Sequence, residues 1–205
     1  DLRDDDQARV LELRDELLAV VLTNIRTQDK TRGDIMAQVA ANRLGERRLH
    51  ELLEEWGSQR FDVSATALME YAARRTRSAI EQLPDGTGTF TDYLEHDGNQ
   101  ENPLAITATV EVDGDRLTVD FSETTDQVAG AVNCSWAVTE GCAAYVIKLL
   151  TDSSLPSNAG LMQPIEVTTR EGSLVAATFP APVSNGNIQT SQRIVDALLG
   201  AFQQF

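Results

Sequence analysis

Up to residue 84, apolar and polar residues alternate with the period of an α-helix. Apolar side chains recur every three or four residues, a spacing that gathers them on one helical face. Three helices are expected: residues 10–25, 34–56 and 64–83, with a polar break at residues 27–33. Asp34 is suited to cap the second helix, and Gly57 is suited to stop it. The Pro84-Asp85-Gly86 turn is expected to end the third helix, so residues 1–84 are predicted to be a mainly helical segment.

After residue 85 the pattern changes to the alternation expected of β-strands. Apolar residues at every second position predict strands at residues 89–94, 106–112 and 117–121. Asp113-Gly114 lies between the last two, and this dipeptide predicts a hairpin because both residues tolerate positive φ. The two hairpin strands are expected to bury one common face, since side chains on a strand alternate. Shorter strands are expected at residues 165–168 and 173–178.

Two further helices complete the predicted order of elements. Residues 136–150 are apolar on nearly every side, which predicts a buried helix. Residues 194–202 carry apolar side chains at helical spacing and predict a C-terminal helix. N-terminal helices followed by an antiparallel sheet and then mixed elements are typical of the α+β class. Residues 85–205 are therefore predicted to be an α+β segment.

Net charge narrows the functions that the chain can have. The chain has 205 residues and a net charge of −15. From Asp85 onward it contains 4 Lys and Arg against 16 Asp and Glu, a difference of 4 − 16 = −12. Because phosphate contacts require a basic face, this composition argues against nucleic-acid binding. No apolar run approaches the ~20 residues that span a bilayer, so no membrane partner is expected.

The two cysteines and two histidines give weak signals for chemistry. A helix joining Cys134 to Cys142 would hold them about 12 Å apart, too far for a disulfide. The pattern favours buried structural thiols and a cytoplasmic protein. No histidine accompanies Cys134, as a catalytic thiol would require. His50 and His96 lie in unrelated segments without zinc-ligand spacing, so no metal ligands are predicted.

The loop at residues 180–193 is the strongest candidate for function. It is dense in small polar side chains and leads directly into the C-terminal helix. A helix start presents free backbone N–H groups to anions. An ordinary capped helix entry explains the same pattern equally well, so the residues alone leave both interpretations open.

The loop and helix start resemble a signature of the hydantoinase B/oxoprolinase family, which includes subunits of acetone and acetophenone carboxylases. Asn185–Asn187, Thr190–Arg193 and Ile194–Ala197 carry the resemblance. Four further stretches agree in the same order: Gly33-Asp34 with Ala37-Gln38 and Ala40–Arg47; Leu83–Gly86 with Asp92–Leu94; Asn133-Cys134; and Leu155-Pro156 with Asn158–Gly160 and Pro164-Ile165. The resemblance also implies that the polar stripe of Gln38, Asn42 and Arg43 is packed or faces a site.

The resemblance implies that this chain is an internal segment of a larger B-type subunit. The implied activity is ATP-dependent hydrolysis of a cyclic amide such as a hydantoin or 5-oxoproline, with ketone carboxylation as the alternative. ATP would be bound by a hydantoinase A-like partner subunit or domain, and a divalent metal by residues upstream of this segment. The segment alone is expected to bind no cofactor and to be inactive. A scaffold without catalytic groups is the third possibility, and it would leave Gln192 and Arg193 fully paired and away from any cavity.

Site residues follow from the resemblance and the loop chemistry together. The predicted catalytic residues are Asn187, Gln192 and Arg193, and the predicted substrate-binding residues are Asn133, Asn185, Gly186, Thr190 and Ser191. Residues 185–187 are expected to form a tight turn with Gly186 at positive φ, before a helix that begins near residues 188–191. Thr190 or Ser191 is expected to cap that helix, and Asp196 to pair with Arg193. The backbone N–H groups at the start of that helix, with the side chains of Asn187 and Gln192, would stabilise the oxyanion of a tetrahedral intermediate.

Overall fold

The computed structural model describes residues 14–205, which form two compact units. The first unit ends at Val63 and the second is Ser64–Phe205. The helices are α1 (Asp15–Thr23), α2 (Gln28–Trp56), α3 (Ser58–Ile80), α4 (Trp136–Leu150) and α5 (Ser191–Phe202); the strands are β1 (Gly86–Leu94), β2 (Leu104–Asp113), β3 (Arg116–Asp120) and β4 (Ile165–Thr168). The unit boundary lies inside α3, whereas the division predicted at residues 84 and 85 follows the change from helix to strand.

Helix α2 begins earlier than the sequence pattern predicted. It starts at Gln28, so residues 28–33 are helical, and Asp34 is an exposed interior residue instead of a cap. Gly33, directly before Asp34, costs the helix only about 1 kcal/mol, too little to end it. Helix α3 likewise begins at Ser58, directly after Gly57 at φ 74°, and not at Ser64. The part of the first predicted helix before residue 14 lies outside the described residues.

Helix α2 has no buried residue within the part of the chain that the structure describes. Gln38, Asn42 and Arg43 are all exposed, so the expectation that this polar stripe is packed is not met here. Within residues 14–205, no helix is both long enough and apolar enough to cross a membrane.

The second unit is built on a four-stranded sheet in the order β1-β2-β3-β4. Strands β1, β2 and β3 are antiparallel neighbours, and β4 is parallel to β3. The hairpin prediction is confirmed, since Asp113 pairs with Arg116 and Gly114 has φ 58°. A parallel pair requires a long crossover connection, and the chain between β3 and β4 supplies it through α4. The α+β class is therefore confirmed, with a mixed sheet.

One face of the sheet forms the core, as the alternating pattern predicted. The predicted core residues of β2, β3 and the residue that follows β3 are each 2% exposed or less: Ile106, Ala108, Val110, Val112, Leu117, Val119 and Phe121. Burying such side chains stabilises the fold by roughly 1.5–3 kcal/mol each for the larger ones. The bounds of α4 and the existence of α5 also match the prediction. Residues 173–178 form only isolated bridges through Ser173, so the strand predicted there is wrong.

Helix α5 packs directly against the buried face of the sheet. A Cβ on Gly88 of β1 would overlap the carbonyl oxygen of Ala201 in α5. A Cβ on Gly200 would overlap the ring of Phe90 in the same way. These two glycines let helix and strand backbones approach closely. The close contact fixes where the N-terminal end of α5, and the loop that leads into it, must lie.

Candidate functional site in the cleft between two helices

Buried hydrogen bonds hold the loop before α5 in place. The side chain of Asn133 is fully buried, and its Nδ2 donates to the carbonyls of Val128 (2.8 Å), Gly130 (2.9 Å) and Pro182 (3.0 Å). Its Oδ1 accepts from the N–H of Val128 at 2.8 Å. Both amide hydrogens are thus used within the protein. Asn133 was predicted to bind substrate, but a buried and fully engaged amide favours a structural role for it.

Gly186 is required for a different reason from the one predicted. Within residues 14–205, positive φ occurs only at four other glycines, so Gly186 does not supply a left-handed turn. Instead, a Cβ on Gly186 would overlap the carbonyl oxygen of Asn133. The glycine therefore allows two backbone segments to pass at contact distance. Because this position is buried and glycine has no side chain, Gly186 has no group with which to bind a substrate.

The chain enters α5 through one turn of π-helix, Gly186–Thr190. Helix α5 itself begins at Ser191, within the predicted range of residues 188–191, but a π-turn precedes it in place of the tight turn predicted at residues 185–187. Thr190 is buried and its hydroxyl donates to the carbonyl of Val132, while the hydroxyl of Ser191 donates to the carbonyl of Asn187 at 3.0 Å. Neither hydroxyl caps an N–H group, so the capping prediction is wrong. Single π-turns inside helices occur frequently at functional sites.

Backbone N–H groups at this helix start are mostly engaged. Those of Ile188 and Gln189 donate to the carbonyl of Asn185 at 3.0 and 2.8 Å, and that of Gly186 donates to Val183 at 3.2 Å. The N–H of Asn185 itself donates to the carbonyl of Ala131 at 2.8 Å. These four groups cannot also bind an oxyanion. This leaves the cleft side chains as the main candidates for stabilising negative charge here.

Four of the predicted residues meet in one cleft of about 580 Å³ between α4 and α5. We call it the α4–α5 cleft; it is lined by Val138, Gly141, Cys142, Tyr145, Asn187, Ser191, Gln192, Arg193, Val195 and Asp196. Asn187 and Gln192 are exposed there. Small-molecule sites typically occupy about 300–1,000 Å³ with a few polar groups on apolar walls. Asn133, Asn185, Gly186 and Thr190 do not line the cleft.

Arg193 is bound by carboxylates on two sides. Its Nη1 lies 3.0 Å from Oδ2 of Asp92 in β1, and its Nη2 lies 2.5 Å from Oδ2 of Asp196 one turn further along α5. The Asp92 oxygen is buried and lacks the alignment of a hydrogen bond, so this contact is electrostatic. The pairing with Asp196 was predicted, whereas the pairing with Asp92 was not. One guanidinium facing two carboxylates is a poor binding site for a further anion.

Both cysteines are buried free thiols. Burial raises the pKa of Cys134 to about 11, and the nearby Cys142 adds to the effect. Burial alone raises the pKa of Cys142 to about 11, and its thiol lies 3.6 Å from the carbonyl oxygen of Ser191. A thiol that stays protonated at neutral pH is a weak nucleophile. The geometry therefore supports structural roles for both.

We expect both thiols to react slowly with Ellman's reagent in the native protein at pH 8. A rise in pKa from 9.0 to about 11 lowers the thiolate fraction roughly a hundredfold at that pH. Because the folded state favours the protonated thiols, their contribution to stability is complete below pH 9 and is lost as the pH rises towards 11. Chemical unfolding in guanidinium should release two rapidly reacting thiols. Rapid labelling of the native protein would contradict the assignment.

Residues 14–205 contain no group of three His, Cys, Asp or Glu side chains arranged to hold a metal ion. These described residues therefore do not fit the divalent metal that the family resemblance implies. Tyr145 and Gly141 of α4 are cleft residues that the sequence did not single out. The apolar character of residues 136–150 indicated burial, and no local signal marked these two positions as a cleft wall.

The profile of the hydantoinase B/oxoprolinase family matches residues 7–205. A putative B-type subunit of a D-/L-hydantoinase from Pseudomonas sp. strain NS671 is 35% identical over 196 residues, which cover 90% of this chain and 33% of that protein. The crystal structure of an ATP-dependent caprolactamase from Pseudomonas jessenii superimposes with a TM-score of 0.82 at 29% identity, covering 94% of this chain and 33% of that one.

An acetone carboxylase structure is similar in fold alone. Its TM-score is 0.72 at 14% identity, covering 86% of this chain and 25% of that chain. The chain spans about a third of the length of the hydantoinase and caprolactamase subunits that it matches, 33% in each case. Because the family match extends over nearly the whole chain, this protein belongs to the hydantoinase B/oxoprolinase family.

Proposed function

We propose that this chain is a segment of the B-type subunit of an ATP-dependent hydrolase that opens cyclic amides. One observation carries the proposal: the family match over residues 7–205, with similarity to a hydantoinase subunit of the same type and to an ATP-dependent caprolactamase over at least 90% of the chain. Both relatives act, by their names, on ring amides. The complete subunit is expected to be about three times as long.

The segment would contribute the α4–α5 cleft to the active site. Asn187 and Gln192 are exposed residues that line the cleft, and neither has a side-chain hydrogen bond within the described residues. An amide N–H can donate to the oxygen atoms of the tetrahedral intermediate that forms when water attacks the activated ring amide, where negative charge develops. Ser191 is less suited to this role because its hydroxyl already donates to the carbonyl of Asn187. Arg193 would act through position, by fixing the start of α5 to β1.

The activity would depend on a partner. The family resemblance implies a hydantoinase A-like subunit or domain that binds ATP and phosphorylates the carbonyl oxygen. This segment would bind the ring and orient it, while a divalent metal would be held by residues outside the segment. We propose a cytoplasmic location for the complex, which the two free thiols favour because a reducing compartment keeps thiols unpaired.

Two other functions remain as candidates. A ketone carboxylase subunit is supported by the fold similarity to acetone carboxylase. A scaffold is favoured by the pairing of Arg193 with Asp92 and Asp196. The exposed amides of Asn187 and Gln192 in a cleft of about 580 Å³ argue against a scaffold, because a scaffold has no need of open polar groups there.

Turnover by the full-length subunit and its ATP-binding partner tests the proposal. We expect the complex to hydrolyse at least one of three cyclic amides: hydantoin, 5-oxoproline and caprolactam. The hydrolysis should stop when ATP is omitted and should not require bicarbonate. The 205-residue segment alone should be inactive on all three. Bicarbonate-dependent consumption of acetone or acetophenone would establish the carboxylase instead, and hydrolysis by the segment alone would contradict the need for a partner.

A further inference from the structure

A second cavity lies beside the α4–α5 cleft on the same helix. It has a volume of about 590 Å³ and lies between α4 and the residues that precede β4. We call it the apolar groove; its apolar walls are Ala144, Leu149, Leu161 and Met162. Leu149 is 54% exposed although its helix packs into the core. The proposed oxyanion chemistry makes no use of this groove.

The groove and the cleft meet at Gly141 and Tyr145, because both residues line both cavities. A Cβ added to Gly141 would have no heavy atom within 4 Å. The absence of a side chain at this point therefore leaves the passage between the two cavities open. Tyr145 is 56% exposed and lines both cavities. One molecule could thus place a polar group in the cleft and an apolar group in the groove.

Charged groups at the two cavities favour a neutral ligand. The cation of the cleft, Arg193, is already bound by Asp92 and Asp196. In the groove, the ammonium of Lys148 already has a polar partner, since it donates to the hydroxyl of Ser157 at 2.8 Å. A ring that carries its own carboxylate, such as 5-oxoproline, would bring a third carboxylate to Arg193. Such a ring is disfavoured in the cleft.

We propose that the apolar groove is the specificity subsite for the ring substituent of the substrate. The substrate class is a cyclic amide with a bulky apolar substituent, whose ring amide lies against Asn187 and Gln192 and whose substituent passes Gly141 into the groove. The inference rests on the proposed function, because it takes the cleft to hold the reacting amide. To the proposed function, this inference adds the direction in which the substrate extends from the cleft and the residues that select its substituent.

The Gly141→Leu variant closes the passage without disturbing the fold. Position 141 is exposed, in a helix and free of neighbouring atoms, and leucine favours a helix more than glycine does. Ala137→Leu is the matched control, since Ala137 is exposed one turn earlier on the same helix and lines neither cavity. The assay uses the full-length subunit with its ATP-binding partner. Its probes are hydantoin and 5-benzylhydantoin.

We expect the wild-type complex to have the higher kcat/KM on 5-benzylhydantoin. Gly141→Leu should lower the ratio of the two kcat/KM values at least tenfold, because steric changes in an apolar pocket change discrimination by about 10–200-fold. Ala137→Leu should leave the ratio unchanged. Equal loss on both probes, or no loss, would overturn the subsite while leaving cyclic-amide hydrolysis intact.

Two further outcomes would overturn the subsite for a different reason. If neither probe nor any other cyclic amide is hydrolysed by the wild type, the proposed function fails and the subsite fails with it. If Gly141→Leu lowers the melting temperature of the full-length subunit or prevents its assembly, while Ala137→Leu does not, the groove is filled by protein. That result would also overturn the subsite.

Discussion

Replacing Asn187 or Gln192 by alanine is expected to lower kcat of the full complex by about 10²–10³-fold, the usual cost of losing one oxyanion donor. Both side chains line the α4–α5 cleft, and both are free of side-chain hydrogen bonds within the described residues. The engaged N–H groups of the loop cannot replace them. KM should change much less than kcat, because the lost interaction is strongest in the transition state.

Gln189→Ala is the matched control for this experiment. Gln189 has the same kind of side chain in the same π-turn and is exposed, but it does not line the cleft. It should therefore keep wild-type kcat. Circular dichroism and the melting temperature should be unchanged for all three variants. If Asn187→Ala and Gln192→Ala are folded and retain wild-type turnover, the loop is structural and the scaffold interpretation is correct.

Asn133→Ala is expected to lower the free energy of unfolding by about 3 kcal/mol or more. The substitution removes the hydrogen-bond partners of the Val128 N–H and of the carbonyls of Val128, Gly130 and Pro182. Each buried polar group left without a partner costs ~1–3 kcal/mol. The loss should also release the loop that carries Asn187, since the bond to Pro182 ties that loop to the chain before α4.

Urea unfolding and hydrogen exchange together measure this effect. Urea gives the change in the free energy of unfolding, and exchange measured by mass spectrometry should rise selectively at residues 128–135 and 182–190. Asn185→Ala is the control, because Asn185 lies in the same loop with an exposed side chain. A surface change of that kind usually alters stability by no more than ~0.5 kcal/mol. Equal stability of the two variants would show that the Asn133 bonds are dispensable.

Elements with strong local patterns were predicted well from the sequence. The β2–β3 hairpin has a strict alternation and a turn dipeptide, and helix α4 is apolar on nearly every side, so both were placed correctly. Helix starts were placed less well. Asp34 has the composition of a cap, yet it lies inside α2 because propagation of a helix through one glycine costs little. The strand predicted at residues 173–178 fails because apolar alternation over so short a run does not ensure a pairing partner.

The site residues, like the secondary structure, were predicted correctly in part. The sequence identified the loop and the four residues Asn187, Ser191, Gln192 and Arg193 that do meet in the cleft. It gave the wrong reason for Gly186, because the need for glycine arises from the carbonyl of Asn133 and not from local backbone conformation. It also assigned Asn133 and Thr190 to the substrate, whereas both hydrogen bond within the protein. Polarity in a loop does not reveal whether a side chain points outward or inward.

By itself, the sequence determined the family, the α+β class, the sheet hairpin and the segment that carries the candidate chemistry, because each is written in short-range patterns of residue type. Only the tertiary structure decided which groups remain free. Asp92 pairs with Arg193 from a strand remote in sequence, and Gly141 of another helix lines the same cleft as Gln192. Such relations depend on how helices pack on a sheet, and close packing brings together residues that no local periodicity connects.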